Sequence, residues 1–142
     1  MDSGTTFTFM SREVFELVAA EFRKQVKKQV RAVGVEAMTG LRPCFNVSKE
    51  MKTVSFPELR FHFKGGAEMA LPLENIFAMA WEDEKRSGGV MCLTVVTDGV
   101  AGERELVGGP SIILGNFQMQ NFHVEFDLRN DRFGFRRQQS CN

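Results

Sequence analysis

Asp2 has the setting best suited to acid–base chemistry in this chain. Residues 2–6 read Asp-Ser-Gly-Thr-Thr. A carboxylate in a rigid loop can accept hydrogen bonds from backbone N–H groups, since glycine lets the backbone approach without a clashing Cβ, and small hydroxyl residues satisfy the other polar groups of the loop. Such a carboxylate can act as a general base on water. The same short motif is also common as a turn before a helix, and by itself it leaves both interpretations open.

The histidines are the other candidate acid–base groups. His62 and His123 occupy polar positions in segments where apolar and polar residues alternate, which is typical of exposed or hydrogen-bonded strand residues. A catalytic base needs a nucleophile nearby, but Cys92 lies in an apolar run and Ser111 precedes an apolar strand, so neither has the setting of an activated nucleophile. The glycine-rich segment 108–115 has no lysine, which excludes a phosphate-binding loop there.

The composition is that of an ordinary globular domain. The 142 residues are 25% charged and 43% hydrophobic, which is the size and make-up of one domain or part of one. The 18 basic and 18 acidic residues give no net charge, which argues against a nucleic-acid-binding module. No apolar stretch approaches the length of a transmembrane helix, and the polar start of the chain is unlike a signal peptide. With 14 Phe and no Tyr, the chain cannot supply a tyrosine hydroxyl to a mechanism.

The cysteines allow two interpretations. Cys44 and Cys92 lie in apolar contexts, and Cys141 is next to the last residue. Asn46 begins the N-glycosylation sequon Asn-Val-Ser. One interpretation is an exported protein with a Cys44–Cys92 disulfide and Cys141 left over, and the other is three unrelated reduced thiols. The sequence contains no C-x-x-C or H-x-x-x-H spacing, so we expect no zinc site, and we expect no other metal or cofactor.

The elements that must position these residues are one helix and several strands. Apolar residues recur every three to four positions over 11–29, which predicts an amphipathic helix capped by Ser11 and ending before Gly34. After residue 40 the apolar period changes to two, which predicts half-buried antiparallel strands. The predicted strands are 58–64, 68–71, 121–128 and 132–135 in hairpins, 90–97 as a central strand and 111–114 as a short buried strand. We expect residues 82–88 to form a charged surface loop in one mostly β unit.

Several segments of the chain, in this order, are similar to plant pepsin-like aspartic proteases. Residues 2–9, which lead into the predicted helix, resemble the second active-site segment of that family, and 112–127 is the most specific match. The other similar segments are 44–48, 71–77 and 92–93. The resemblance covers nearly the whole chain. It is to the C-terminal lobe of nepenthesin-type proteases, whose relatives include xylanase-inhibitor proteins built on the same fold.

This resemblance implies a mainly β fold over residues 1–142: the C-terminal lobe of a pepsin-like protease, with antiparallel sheets and one substantial helix, truncated at its N-terminus. It implies that Asp2 is the second catalytic aspartate, that Cys44 and Cys92 form a disulfide, and that Cys141 pairs elsewhere. The residues of the implied active-site loop and of the strand crossing behind it are Ser3, Gly4, Thr5, Thr6, Ile112, Ile113, Leu114 and Gly115. The implied partners are an N-terminal protease lobe and a polypeptide substrate, and the implied location is extracellular, apoplastic or vacuolar.

The sequence departs from the family pattern because it has a single Asp-Ser-Gly-Thr motif. In the family, two carboxylates share one proton and titrate as a pair. No first lobe with its own aspartate and tyrosine-bearing flap is present, so we expect a fragment, a truncated product or a partial gene model that is inactive alone. The alternatives are a non-catalytic inhibitor or binding relative and a product without function; the retained motif favours the protease lineage. We also expect the apolar stretches 90–96 and 112–114 to be left exposed.

Overall fold

The fold is described from a computed structural model, which defines residues 1–26, 29–48, 56–83, 88–97 and 109–138. In chain order these residues form β1 (Thr8–Met10), α1 (Arg12–Gln25), α2 (Val33–Thr39), β2 (Cys44–Ser48), β3 (Leu59–His62), β4 (Glu68–Leu71), a short 3-10 helix (Leu73–Asn75), β5 (Phe77–Asp83), β6 (Gly88–Leu93), β7 (Val95–Val96), β8 (Ile112–Ile113), α3 (Asn116–Met119), β9 (Phe122–Asp127) and β10 (Arg132–Arg137). No helix within these residues is both long and apolar enough to cross a membrane.

β1 is the middle strand of a three-stranded sheet in the order β7-β1-β8, and it directly follows the Asp2 segment. It pairs in parallel with β7, with Thr8 opposite Val95, and antiparallel with β8, with Phe9 opposite Ile113. No sequence pattern indicates the parallel pairing, because β7 has 2 residues, too few to show a period. The sheet places the start of the chain between two segments that are far away in sequence.

β6 is the middle strand of a second three-stranded sheet, in the order β2-β6-β5. It has a neighbour on each side, as a central strand must, and both run antiparallel to it, but the predicted 90–97 run is divided at Thr94 into β6 and β7. The hairpins β3–β4 and β9–β10 form where the alternation of apolar residues predicted them. The predicted surface loop 82–88 was too long, because β5 continues to Asp83 and β6 begins at Gly88; residues 84–87 lie outside the described residues.

α1 is the predicted amphipathic helix in a shorter form. It follows Ser11 as expected, but it ends at Gln25 and not at residue 29, with Val26 as the residue that caps it. The second helix, α2, was not predicted, and it contains Gly34. A glycine inside a helix is unfavourable by only about 1 kcal/mol relative to alanine. The residue that ends α2 is instead Gly40, which adopts the left-handed conformation with φ of 72°.

The main hydrophobic core lies between α1 and the strands. Phe22 of α1 packs edge-on against Phe77 of β5, with the ring centroids 5.3 Å apart. The buried side chains of this core include Met10, Phe15, Phe22, Phe45, Met69, Ile76, Phe77 and Leu93. The expectation that 90–96 is exposed was wrong, because this core and a smaller cluster under α2 cover most of its side chains. In the 112–114 stretch, predicted both as a buried strand and as left exposed, Ile112 is exposed and Leu114 is buried.

Candidate active site

Asp2 lies in an exposed loop that satisfies both oxygens of its carboxylate. Oδ1 accepts a hydrogen bond from the backbone N–H of Gly4 at 2.9 Å, and Oδ2 accepts one from the Thr5 hydroxyl at 2.7 Å. The backbone N–H of Thr5 also donates to the Asp2 carbonyl at 3.3 Å. The loop therefore fixes the orientation of the carboxylate while leaving the residue exposed to solvent.

The same hydrogen bonds favour the charged form of Asp2. The Thr5 hydroxyl, and after it the Gly4 N–H, hold the pKa of the Asp2 carboxyl below its ordinary value, and they outweigh the opposing effect of burial. An exposed, ionised and oriented carboxylate can accept a proton from a water molecule. In the part of the chain that the structure describes, no group of three or more His, Cys, Asp or Glu side chains could hold a metal ion.

Three backbone hydrogen bonds tie the Asp2 loop to the segment that contains β8 and α3. The N–H of Asp2 donates to the carbonyl of Leu114 at 3.0 Å. Farther along the loop, the N–H groups of Asn116 and Phe117 donate to the carbonyls of Thr5 and Thr6, each at 2.8 Å. The loop and the apolar-apolar-Gly segment are therefore neighbours in the structure, although more than a hundred residues separate them in sequence.

Gly115 lies behind the loop, where the backbone of the 112–115 segment comes very close to the backbone of Phe7 and Thr8. A Cβ at this position would lie 2.5 Å from the carbonyl carbon of Phe7 and 2.8 Å from the nitrogen of Thr8. Only glycine fits there, because real Cβ atoms do not come this close to backbone atoms. Gly4 is constrained less strongly, since its Cβ would lie 3.2 Å from Oδ1 of Asp2.

The remaining residues of the predicted site have smaller roles. Ser3 and Thr6 have exposed side chains, and Thr6 contributes its backbone carbonyl as described above. Ser3 lines a small open cleft beside the loop together with Phe122 and Phe126 of β9. Ile113 is half-buried and pairs with Phe9 in the sheet.

Four polar residues that the sequence motifs do not identify lie buried behind the loop. Thr8, Asn75, Thr94 and Gln118 are each fully buried and are connected by hydrogen bonds. The sequence signal for such residues is a polar residue that interrupts an apolar stretch, as Thr94 does between β6 and β7; Gln118 lies among other polar residues and carries no such signal. Because buried polar groups are almost always hydrogen-bonded, such interruptions point to an internal network.

Cys44 and Cys92 are joined by a disulfide with a sequence separation of 48. They lie opposite each other on β2 and β6, in the second sheet and not in the sheet that carries the Asp2 loop. Asn46 is exposed on β2, and its Nδ2 donates to the carbonyl of Val30 at 3.1 Å. Cys141 lies outside the described residues.

Both histidines occupy exposed positions on the polar faces of hairpins. His62 on β3 places Nδ1 3.1 Å from Oε1 of Glu68 on the neighbouring strand. His123 on β9 lies opposite Arg136 on β10. The donors to the Asp2 carboxylate come from its own loop, so the arrangement gives neither histidine a part in the chemistry of Asp2.

Comparison with known proteins places these features in one family. The family described as xylanase inhibitor C-terminal matches residues 1–137. A probable aspartyl protease of Arabidopsis thaliana is 39% identical over 142 residues, which cover 95% of this chain and 27% of that protein. The aspartic proteinase nepenthesin-2 of Nepenthes gracilis is 31% identical over 130 residues, covering 92% of this chain and 26% of that protein. The chain thus spans about a quarter of the length of these relatives.

A solved structure supports the same relationship. Conglutin gamma, a basic 7S globulin from lupine seeds, matches with a TM-score of 0.66 and 26% identity over 91% of this chain and 29% of that one. The family match covers almost all of the sequence, and the relatives named above include plant aspartyl proteases. This chain therefore belongs to the xylanase-inhibitor C-terminal family and has the mainly β, pepsin-like fold that this family shares with the C-terminal part of plant aspartyl proteases.

Proposed function

We propose that this chain supplies one half of the catalytic aspartate pair of a plant aspartic endopeptidase, with Asp2 as its carboxylate. The observation that carries the proposal is the state of that side chain: both oxygens accept a hydrogen bond from the loop, and the residue is exposed. These hydrogen bonds orient the carboxylate and favour its ionised form, which is the form that a general base needs. The other half of the pair would come from an N-terminal lobe, and the substrate would be a polypeptide.

The proposed mechanism follows from the properties of a carboxylate pair. Two carboxylates in contact share one proton, because both cannot be ionised at little cost. The ionised oxygen takes a proton from a water molecule that attacks the peptide carbonyl, and the protonated partner donates a hydrogen bond to the carbonyl oxygen as charge develops on it. In this chain Gly4 and Thr5 donate to Asp2 and keep its oxygens in position for either role.

An oxidising compartment is part of the proposal. The Cys44–Cys92 bond belongs to a class of bonds that persists in secreted and luminal proteins and is rare in the cytosol. We therefore place the protein in the extracellular space, the apoplast or the vacuole. The sequon at Asn46, whose side chain is exposed, fits the same route, and we propose Asn46 as a glycosylation site.

A non-catalytic binding protein is the second candidate. The family carries the name of xylanase inhibitors, and one of the matching solved structures is that of a seed globulin. In such a protein the surface loops would bind the partner, and the Asp2 carboxylate would have no catalytic role. The hydrogen bonds from Gly4 and Thr5 favour the protease, and a product without function ranks third.

A chimera tests the proposal directly. Residues 1–137 of this chain replace the matching region of nepenthesin-1 of Nepenthes gracilis, which is 30% identical over 135 residues. We expect the chimera to hydrolyse denatured protein at acid pH in a pepstatin-sensitive way, and Asp2→Asn to abolish the activity. Asp127→Asn is the matched control, because Asp127 is also hydrogen-bonded within a turn and its pKa is also lowered, by Asn130. A folded chimera without activity, or one in which both variants behave alike, refutes the proposal.

A further inference from the structure

The side chain of Gln118 is a buried hydrogen-bond hub behind the Asp2 loop. Gln118 is completely buried, with 0% of its surface exposed to solvent. The side-chain oxygen Oε1 accepts two hydrogen bonds from Thr8, one from the backbone N–H and one from the hydroxyl, both at 2.8 Å. Thr8 is the first residue of β1, so this contact fixes the strand at the point where it leaves the loop.

The other end of the same amide holds two further segments. Nε2 donates to the carbonyl of Asn75 at 3.0 Å, and it shares its second hydrogen between the carbonyl and the hydroxyl of Thr94, at 2.9 Å each. The orientation of the amide is determined by its neighbours, because a backbone N–H can only donate and a carbonyl can only accept. Asn75 closes the network by donating from Nδ2 to the carbonyl of Gln118 at 3.1 Å and to that of Gln120.

A short path connects this hub to Asp2. The Thr8 hydroxyl, which donates to Gln118, also accepts the N–H of Gly115 at 3.0 Å. The residue before Gly115 is Leu114, whose carbonyl accepts the N–H of Asp2. The helix that carries Gln118 also presents the N–H groups of Asn116 and Phe117 to the loop carbonyls of Thr5 and Thr6, as described above. The three backbone contacts between the loop and the segment behind it therefore involve residues next to Gly115 or on the same helix as Gln118.

We propose that Gln118 is a positioning residue for the Asp2 loop: its amide locks β1, α3 and the Thr94 junction together and so holds the loop in the conformation that presents the carboxylate. A leucine would fill a similar volume without any donor or acceptor, and a methionine would offer only a weakly accepting sulfur. A buried polar network that is fully satisfied specifies one arrangement of the segments it joins, which accounts for the amide at this position. The catalytic consequence rests on the proposed function, whereas the effect on the loop does not.

The loop is tested by hydrogen exchange on the 142-residue chain. Gln118→Met keeps the volume and removes the hub, and Met69→Ala is the control, since Met69 is fully buried in the main core and lies on β4. The exchange rates of the Asn116 and Phe117 amides are expressed relative to the rates of the slowest core amides, so that a change in global stability cancels. We expect Gln118→Met to remove the protection of these two amides and to raise the pKa of Asp2, and Met69→Ala to do neither. Equal behaviour of the two variants overturns the proposal.

Gln118→Glu is a second variant that tests the same positioning role if Gln118→Met does not fold. Gln118→Glu can accept from Thr8 and, when protonated, donate one hydrogen bond in place of Nε2; once ionised it cannot donate. We expect protection of Asn116 and Phe117 in Gln118→Glu to match the parent chain at low pH and to be lost as the pH rises. Protection that follows the parent chain at every pH overturns the proposal.

The catalytic consequence is tested in the nepenthesin-1 chimera. We expect Gln118→Met to lower kcat by about 10²-fold with little change in KM, the loss that a small misplacement of a reacting group produces. Met69→Ala leaves kcat near the value of the chimera at temperatures well below unfolding. If the exchange result is as expected but the unsubstituted chimera is inactive, the proposed function fails and the positioning role stands. If the chimera is active and Gln118→Met leaves kcat unchanged, the positioning role fails.

Discussion

Gly115 lies against the backbone of Phe7 so closely that no other residue fits between the Asp2 loop and the segment behind it. The nearest backbone atom, the carbonyl carbon of Phe7, is 2.5 Å from where a Cβ would stand. Phe7 also packs its ring edge-on against Phe117, with centroids 5.5 Å apart, two residues beyond Gly115. The glycine and the aromatic pair together pack the residue that follows the loop closely against the 115–117 segment.

The first prediction concerns this close approach. Gly115→Ala should destabilise the chain by about 1–3 kcal/mol, the range for overpacking in a well-packed region, because the methyl group must push the Phe7 backbone away. Urea unfolding followed by circular dichroism measures the loss. Gly134→Ala is the matched control, since a Cβ there meets its nearest atom at an ordinary 3.7 Å. Equal stability of the two variants would contradict the geometry described for Gly115.

The second prediction is that the 142-residue chain alone does not cleave protein substrates. It contains a single Asp-Ser-Gly-Thr motif, and one carboxylate lacks the partner with which to share a proton. General acid–base help is worth about 10²–10⁴-fold for each group, so the loss of one group takes turnover below detection. Hydrolysis of denatured haemoglobin or casein at acid pH is the assay. Pepstatin-sensitive activity of the pure chain that disappears in Asp2→Asn would show that two copies assemble a pair.

Some features of the fold follow from local sequence, and others join residues that are far apart along the chain. The start of α1 and the two hairpins follow from periods within about ten residues, and the structure has them where they were predicted. The parallel pairing of β1 with β7 and the contact between Thr8 and Gln118 join residues far apart in sequence, up to 110 positions. Spacing patterns describe only neighbours along the chain, and therefore no local pattern could identify Gln118. The position of 112–115 behind the loop could be expected only from the resemblance to a family.

The third prediction follows from the lowered pKa of Asp2. A carboxyl whose pKa is lower in the folded chain than in the unfolded chain contributes stability above the unfolded pKa of about 3.9, and this stability is lost as the pH falls through the lower folded value. Thr5→Val removes the largest cause of the shift, the Thr5 hydroxyl, so the pKa of Asp2 should rise toward its ordinary value. Titration of the Asp side-chain carbons by NMR measures it. Asp127, which Asn130 holds low, serves as the internal control and should not move.

The fourth prediction concerns the disulfide. The Cys44–Cys92 bond has a sequence separation of 48, which corresponds to roughly 4 kcal/mol in the chain-entropy model. Cys44→Ser, Cys92→Ser and the double variant should therefore lose similar amounts of unfolding free energy, because each removes the same bond. Chemical denaturation of protein produced in an oxidising compartment measures the loss. Mass mapping of a non-reduced digest should show Cys44 joined to Cys92, and a Cys44–Cys141 peptide would contradict the assignment.

The last prediction is that Asn46 carries a glycan when the chain is made in a secretory host. The Asn-Val-Ser sequon is intact, and the Asn46 side chain is exposed at the surface of β2. Its Nδ2 donates one hydrogen to the Val30 carbonyl. An amide nitrogen has two hydrogens, so linkage to a sugar leaves one for that bond, and the strand can keep its position after modification. Intact mass before and after glycosidase treatment should show one glycan, which Asn46→Gln and Ser48→Ala each remove, while Ser48→Thr keeps the sequon and the glycan. An unmodified chain recovered from the secreted fraction would show that export does not lead to modification at this strand.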